Sequence, residues 1–273
     1  MSWRVPGPAW LFCPADRPER FEKAAAIADV VILDLEDAVA PADKEQARTA
    51  MIDTPLDPQR TIVRINAVGT DDHERDLLAL DGTHYTRLML AKCESPEQVL
   101  ALAPSEVIAM IESPRGAMAV QDIALAANTI GVMWGAEDLV AGLGGTSSRN
   151  GRGVYRDVAQ HVRSSTLLAA KAYGRFALDA VYLDFKDLDG LRAESDDAVA
   201  VGFDAKVAIH PTQVPVIHAA YAPTDKEVEW ARGVLAAADS ERGVFAYEGT
   251  MVDPPVLDHA AQIMRRYRPR SAT

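Results

Sequence analysis

Eight short apolar runs, separated by segments with helical spacing, recur along most of the chain. They are rich in Val, Ile and Leu without strict alternation, which is typical of strands buried on both faces. Eight such units without a break in composition predict a closed (β/α)8 barrel, a TIM barrel, and the alternative is a doubly wound parallel sheet. The runs are residues 10–13, 30–35, 61–65, 87–90, 107–111, 131–134, 180–183 and 206–209.

The segments between the runs contain residues that start helices. The Ser-Pro pairs at 95–96 and 113–114 each combine an N-cap with a proline in the first turn. Apolar residues at helical spacing predict a long helix over 155–173, before the seventh strand. A short helix over 195–201 is predicted before the eighth strand.

The pattern changes after residue 222. Residues 224–227 form a capping box, a polar stretch over 239–250 follows, and Asp253 with two prolines starts a last helix. These residues exceed what a barrel needs. We therefore expect a catalytic barrel over 1–222 and a C-terminal extension over 223–273 that serves as a lid, an oligomer contact, or both.

Charge and composition exclude several classes of protein. A net charge of −12 without a broad basic face argues against a nucleic-acid partner, although a few arginines suffice for an anionic small ligand. Cys13 and Cys93 are isolated, so neither a disulfide framework nor a zinc spacing exists. No signal peptide is seen, and no apolar segment approaches the ~20 residues that span a membrane. We expect a soluble, cytoplasmic protein.

Ionisable residues occur at or just after the end of every one of the eight runs, where a barrel of this kind has its active site. The acids among them outnumber the bases, and a divalent cation would offset their mutual repulsion. In order along the chain they are Asp16 and Arg17; Asp34, Glu36 and Asp37; Arg64; Lys92; Glu112; Glu137 and Asp138; Asp184, Lys186 and Asp187; and His210.

Glu112 and Asp138 end neighbouring strands, so parallel pairing would place them side by side. Carboxylates without a His or Cys grouping favour Mg²⁺, or Mn²⁺, over zinc. Arg64 would then lie opposite the cation and could clamp a carboxylate or a developing enolate oxygen. Two simpler explanations remain: the acids cap the helices after them, or Arg64 forms a salt bridge to Glu36 or Asp37. His210 precedes a proline and is as well explained by a structural role, so it is left out of the catalytic set.

Short motifs occur in a fixed order along nearly the whole chain. They are Phe12-Cys13-Pro14 with Lys23-Ala24, Asp34-Leu35-Glu36-Asp37-Ala38, Arg64-Ile65-Asn66, Ile111-Glu112-Ser113, Gly135-Ala136-Glu137-Asp138-Leu139 and Ile209-His210-Pro211-Thr212-Gln213. With them the chain resembles the citrate lyase β-subunit-like (CitE-like) branch of the HpcH/HpaI aldolase superfamily, close to malyl- and citramalyl-CoA lyases. The resemblance implies a TIM barrel, usually trimeric, that makes or breaks a carbon–carbon bond between an acyl-thioester enolate and a keto acid.

The resemblance also implies roles for individual residues. Glu112 and Asp138 would hold Mg²⁺, with Arg64 at the substrate. Gly135 and Ala136 would offer backbone N–H groups to a substrate carboxylate. Glu112 would contact the substrate from the metal site.

Asp253 matches the late aspartate that related lyases carry on a C-terminal lid. We predict that Asp253 is a general acid and base for the substrate of an adjacent subunit, in a homotrimer with shared sites. The alternative is that it only caps the last helix. Glu36 or Asp37 would order Arg64 or metal-bound water.

The coenzyme A portion of the substrate is assigned to basic residues near the first strand. Arg17, Arg20 and Lys23 are the residues available for its anionic groups. The family's usual glycine after the first Pro is Ala15 here, which makes phosphate contacts by that loop's backbone less secure.

The predicted activity is Mg²⁺-dependent cleavage of a 3-hydroxyacyl-CoA such as citramalyl-, malyl- or hydroxymethylglutaryl-CoA. The products would be acetyl-CoA, or propionyl-CoA, and a keto acid. One alternative is the β subunit of a citrate lyase complex acting on citryl-acyl carrier protein, and another is a non-catalytic metal-binding scaffold. Asp253 favours the free-standing lyase, because such an enzyme must close over its own thioester.

Overall fold

Eight parallel strands form a closed barrel in the computed structural model, which describes Trp3 and residues 5–239 and 243–267. Each strand pairs with the next one along the chain, and the eighth pairs with the first. This confirms the predicted fold. The strands are β1 (Ala9–Pro14), β2 (Val30–Asp34), β3 (Thr61–Ile65), β4 (Arg87–Leu90), β5 (Glu106–Ile111), β6 (Thr129–Trp134), β7 (Phe176–Asp179) and β8 (Ala205–Ala208).

Helices connect the strands. They are α1 (Phe21–Ile27), α2 (Lys44–Asp53), α3 (Asp71–Leu80), α4 (Pro96–Leu100), α5 (Pro114–Leu125), α6 (Ala136–Gly142), α7 (Asp157–Ala172) and α8 (Leu188–Val201), and α9 (Val214–Tyr221) comes after β8. As predicted, Ser95 and Ser113 cap α4 and α5, because their side chains accept hydrogen bonds from the backbone N–H groups of Gln98 and Gly116.

The position predicted for the seventh strand, 180–183, is wrong: β7 ends at Asp179. A carboxylate within an apolar stretch indicates a loop, but this one is fully buried. It pairs with Lys206 Nζ at 2.9 Å and with Arg163 Nε at 3.0 Å. Burial acts to raise the pKa of Asp179, but Lys206 and Arg163 outweigh it and hold the pKa below its usual value.

Because β7 ends early, the residues between it and β8 also differ from the prediction. Asp184 and Lys186 lie in a loop rather than at a strand end, and Asp187 is the N-cap of α8, where its side chain accepts from the N–H of Gly190. The helix predicted over 195–201 is therefore longer and begins at Leu188.

The barrel interior is filled by apolar side chains. Its buried core includes Val30 and Ile32 of β2, Ile62 of β3, and Ile108 and Met110 of β5. Side chains alternate between the two faces of a strand, so the residue two positions later points the same way. Two positions after Ile32, Ile62 and Met110 come Asp34, Arg64 and Glu112. The strands therefore place three charged side chains directly above the apolar core, at the carboxyl end of the barrel.

The chain divides into two compact units, Met1–Ile217 and His218–Thr273. The second contains α10 (Asp225–Ala238), a hairpin of β9 (Phe245–Tyr247) and β10 (Thr250–Val252), and α11 (Pro254–Arg266). Its own core comprises Val228, Ala231, Val234, Val252, Ala260 and Ile263. The hairpin overlaps the polar stretch over 239–250, for which the sequence analysis predicts no strand.

The predicted caps of the second unit are present. Thr224 and Glu227 form the capping box of α10, and the side chain of Asp253 accepts from the N–H of Val256 at the start of α11. The role of this unit as a lid or oligomer contact stays a prediction. Along the parts of the chain that the structure describes, no helix combines the length and apolar character that a membrane span requires.

Candidate active site

Arg64 and Asp34 form a buried, two-pronged ion pair at the carboxyl ends of β2 and β3. Arg64 Nε donates to Asp34 Oδ1 at 2.7 Å and Nη2 donates to Oδ2 at 2.5 Å. Burial acts to lower the pKa of Arg64, but Asp34 outweighs it, and the pKa lies above its ordinary value. The guanidinium is therefore a permanent cation whose orientation is fixed by Asp34.

Glu36 links Arg64 to a second cation, Lys92. Arg64 Nη1 lies 3.2 Å from Glu36 Oε2, and the ammonium of Lys92 contacts Glu36 Oε1. Burial raises the pKa of Glu36, although Arg64 and Lys92 act against that rise. Asp34, Arg64, Glu36 and Lys92 thus form a chain of alternating charge around this side of the barrel mouth.

Glu112 is the most deeply placed carboxylate of the site after Asp34, with a side chain that is 3% exposed. Its Oε1 accepts a hydrogen bond of 2.8 Å from the backbone N–H of Lys92. Burial raises the pKa of Glu112 to about 7, with Asp138 adding to the rise and Arg64 opposing it. The protein alone thus leaves the charge of Glu112 poorly compensated.

Gly135 makes room for Glu112. It occupies the inward-facing position above Met133, a core residue of β6. A β-carbon there would lie 2.7 Å from Glu112 Oε2 and 2.9 Å from its Cβ. The N–H of Gly135 donates to the carbonyl of Ile111 at 3.0 Å. A substrate carboxylate would have to share this N–H with the Ile111 carbonyl, and Gly135 and Ala136 both stay proposed donors.

Replacing Gly135 by alanine is expected to displace the Glu112 carboxylate without unfolding the barrel. The backbone of Gly135 has φ −127 and ψ 121, which alanine adopts freely, so the effect comes from crowding alone. We expect metal affinity to fall by ~10-fold or more, as for a disturbed ligand shell. Isothermal titration with Mg²⁺ measures it, with Gly151→Ala as the control, because an added β-carbon there meets nothing within 4 Å. Unchanged affinity would show that Glu112 does not depend on this gap.

Asp138 completes the set of strand-end acids from the first turn of α6. Its side chain is 40% exposed and lies 3.6 Å from Lys92 Nζ. The helix caps are Ser113 for α5 and Gly135 for α6, so the simpler explanation of Glu112 and Asp138 as N-caps is wrong.

The donor set fits a hard divalent cation. Among the described residues no group of three His, Cys, Asp or Glu side chains is arranged to hold a metal ion. Two carboxylates, one buried and one half-exposed, match the one or two protein ligands that Mg²⁺ usually takes, since water and substrate complete its shell. The surrounding acids, Asp34, Glu36 and Asp37, further outnumber the two cations, Arg64 and Lys92.

A cavity of about 310 Å³ opens above these residues. The structure brings Arg64, Glu112, Gly135, Ala136 and Asp138 to its wall, as the sequence predicts. The apolar part of the lining consists of Phe12, Met110, Met133, Val181, Leu183 and Ile209.

Other candidate residues lie elsewhere. Arg17, Arg20 and Lys23 are exposed and are absent from the cavity lining, with Arg17 beside Asp16 at 3.8 Å and Arg20 beside Glu19 at 3.7 Å. His210 caps the 3-10 turn Pro211–Gln213 and stacks on Phe185, which supports leaving it out of the catalytic set.

The sequence analysis assigned no role to two residues of the site. Asp34 and Lys92 were recognised as strand-end residues without a role, yet Asp34 orients Arg64 and Lys92 touches four acids of the site. Asp34 points to the same side of β2 as Val30 and Ile32, which lie at alternate positions before it. This alternation could have identified it as an inward-facing residue.

Comparison with known proteins shows what the chain is similar to. A family model described as HpcH/HpaI aldolase/citrate lyase matches residues 9–211. A citrate lyase subunit beta-like protein of Mycobacterium tuberculosis is 63% identical over 266 residues, which cover 97% of each chain. The mitochondrial citramalyl-CoA lyase of Homo sapiens is 30% identical over 290 residues, 94% of this chain and 84% of that protein. A crystal structure of CitE from Mycobacterium tuberculosis, in complex with magnesium, acetoacetate and coenzyme A, superposes with a TM-score of 0.92 at 63% identity and covers 96% of this chain and 98% of that one.

Proposed function

This chain belongs to the HpcH/HpaI aldolase/citrate lyase family, and we propose that it is a Mg²⁺-dependent carbon–carbon lyase acting on a 3-hydroxyacyl-CoA. Candidate substrates are citramalyl-, malyl- and hydroxymethylglutaryl-CoA, cleaved to acetyl-CoA, or propionyl-CoA, and a keto acid. The observation that carries the proposal is the meeting of buried Glu112 with Asp138 and Arg64 at one cavity. Magnesium, acetoacetate and coenzyme A in the structure of the M. tuberculosis relative support it.

Glu112 and Asp138 would hold the cation, Mg²⁺ or Mn²⁺. When bound, such an ion supplies Lewis-acid stabilisation of oxygen atoms that gain negative charge in the reaction. The N–H of Lys92 holds Glu112 in place, and half-exposed Asp138 lines the same cavity.

Arg64 would stabilise the oxyanion of the enolate that forms when the bond between C2 and C3 of the substrate breaks. Asp34 takes Nε and Nη2 of Arg64 and so fixes the plane of the guanidinium. Nη1 is not used by Asp34 and is the nitrogen that we assign to the substrate. Glu36 lies beside Nη1 and would orient it.

Arg64→Lys is expected to lower kcat/KM by ~10², or about 2.7 kcal/mol of transition-state stabilisation. A lysine keeps the charge but lacks the planar fork, in which two nitrogens engage both oxygens of Asp34 while a third faces the substrate. Steady-state kinetics on the best substrate test it, with Arg87→Lys, at the start of β4, as the matched control. Kinetics like those of the wild type would make Arg64 a structural ion-pair residue.

The proton of the 3-hydroxyl needs an acceptor, and we propose Asp253. A carboxylate oxygen takes this proton, the electrons of the O–H bond form the new carbonyl, and those of the C2–C3 bond form the enolate. The same acid can return the proton to C2 and give the acyl-CoA product. We infer that Asp253 serves an adjacent subunit of a homotrimer. The cap of α11 uses its Oδ1, which leaves the second oxygen of the carboxylate for this transfer.

The remaining parts of the substrate are assigned to backbone and basic groups. We propose that the N–H groups of Gly135 and Ala136 bind the carboxylate of the keto-acid portion. Arg17, Arg20 and Lys23 would contact the phosphates of coenzyme A. Glu19 is an exposed partner of Arg20, and such a pair is weak enough to give way to a phosphate, whereas Asp16 beside Arg17 is mostly buried.

A second candidate is the β subunit of a citrate lyase complex that acts on citryl-acyl carrier protein. The observation in its favour is the description of the 63% identical relative as citrate lyase subunit beta-like.

One set of assays separates these candidates. The purified chain is incubated with Mg²⁺ and each of malyl-, citramalyl-, methylmalyl- and hydroxymethylglutaryl-CoA, and acetyl-CoA or propionyl-CoA is quantified, while gel filtration gives the oligomeric state. We expect a trimer that cleaves at least one CoA ester. Cleavage of citryl-acyl carrier protein alone would select the complex subunit, and metal binding without any cleavage would identify a scaffold.

A further inference from the structure

Lys92 lies just after β4 and has a backbone conformation that is rare for a residue with a side chain. Its φ is +50, in the left-handed region, and among the described non-glycine residues only Glu248 shares this property. The left-handed region brings Cβ too close to the backbone, so such a conformation persists only where its surroundings impose it.

The turn directs the backbone of Lys92 towards β5. The N–H of Lys92 donates to Glu112 Oε1 at 2.8 Å, and the next N–H, of Cys93, donates to the carbonyl of Met110 at 3.1 Å. The hold on Glu112 therefore comes from the main chain and does not require a lysine at this position.

The side chain of Lys92 performs a separate task. Its ammonium contacts Glu36 and lies 3.3 Å from Asp37 and 3.6 Å from Asp138. It thus connects the acids at the end of β2 with the acid on α6. None of these contacts takes part in the proposed steps of the lyase reaction.

The ammonium and a divalent cation need the same acid. A cation held by Glu112 and Asp138 would lie close to a fixed positive charge, and like charges repel strongly where water is partly excluded. Glu112 cannot move far, because the main chain holds it, whereas half-exposed Asp138 has the weaker and longer contact with Lys92.

We propose that Lys92 is a positioning residue that holds Asp138 near Glu36 while the metal site is empty, and that the divalent cation displaces its ammonium from Asp138. The proposal rests on the metal site of the proposed function. Lys92 then lowers the affinity for the free cation and keeps a site rich in carboxylates assembled without it.

Mn²⁺ binding tests this without any turnover. The signal of free Mn²⁺ in electron paramagnetic resonance gives the dissociation constant for the wild type, Lys92→Met and Lys92→Gly. Both variants lose the ammonium and keep the N–H that holds Glu112. We expect both to bind Mn²⁺ ~10-fold more tightly, because one like charge beside the cation is removed. Lys92→Gly also relieves the left-handed strain, so it should unfold at a higher temperature than Lys92→Met.

Two further variants make the result specific. Lys186→Met removes the same charge from the exposed loop after β7, where none of the ion pairs of the described residues includes Lys186, and should leave the dissociation constant unchanged. Glu112→Gln should abolish the binding that is measured. Equal or weaker Mn²⁺ binding by both Lys92 variants would overturn the proposal and leave the proposed lyase activity intact. A wild type that binds no Mn²⁺ at millimolar concentration would instead remove the metal site, and this proposal with it.

Discussion

Glu112→Gln is expected to lower kcat/KM for metal-dependent cleavage by ~10³ or more, since several kcal/mol of Lewis-acid stabilisation depend on the charge that holds the ion. Glutamine has the same shape and can still accept from the N–H of Lys92. Without the cation, the charge of Glu112 is unfavourable, because burial raises its pKa to about 7. We therefore expect the variant to unfold at the same temperature as the metal-free wild type, or at a higher one.

The matched control is Glu106→Gln. Glu106 begins the same strand, at the opposite end of the barrel, where it pairs with Arg87 at 2.9 Å. Both variants are compared for turnover across a Mg²⁺ titration and for thermal unfolding with and without Mg²⁺. If Glu112→Gln turned over substrate like the wild type at limiting Mg²⁺, the metal site would have to lie elsewhere.

Asp253→Asn is expected to lower kcat by ~10²–10³, the usual contribution of a general acid and base. Asparagine caps helices as well as aspartate does, so the hydrogen bond to the N–H of Val256 and the stability of α11 should survive. Steady-state kinetics and thermal unfolding together separate the two roles, since a cap alone predicts unchanged turnover.

Mixing the two inactive variants, Asp253→Asn and Glu112→Gln, tests which subunit supplies Asp253 to an active site. Asp253→Asn and Glu112→Gln subunits are combined under conditions in which exchange is demonstrated with a tagged chain. A site shared between chains would restore part of the activity, because some mixed trimers pair an intact Glu112 with an intact Asp253. If activity did not recover although subunits exchange, Glu112 and Asp253 of one active site would belong to the same chain.

The barrel could be predicted where a mostly apolar run lies between two segments with helical spacing. Thr61–Ile65 and Arg87–Leu90 have the bounds that the sequence indicates. The prediction of the seventh strand was wrong because the charge of Asp179 is compensated by Lys206 on the next strand. Lys206 lies 27 residues further along the chain, so the local sequence around Asp179 does not reveal this pair. The hairpin of the second unit was missed because its two strands have only three residues each.

The part of the site that could be predicted is the set of residues at the carboxyl ends of the strands. Strand order alone brings Glu112 and Asp138 to one cavity. The salt bridge from Arg64 to Glu36, one of the alternatives that the sequence offers, is present at 3.2 Å. The two-pronged pair with Asp34 could not be derived, because it depends on Asp34 and Arg64 sharing the inward face of the barrel. The contacts of Lys92 depend on its left-handed backbone conformation, which could not be predicted because lysine rarely adopts it.

The apolar filling of the barrel has a kinetic consequence. Ile32, Ile62 and Met110 lie one inward-facing position below Asp34, Arg64 and Glu112 and close the cavity from beneath. Within the described residues, the filled core closes the lower end of the cavity, so the proposed substrate and products would pass through its open end. If both products formed together, the one bound nearer the core would leave after the other. For the proposed lyase reaction, we therefore expect an ordered release of the acyl-CoA and the keto acid.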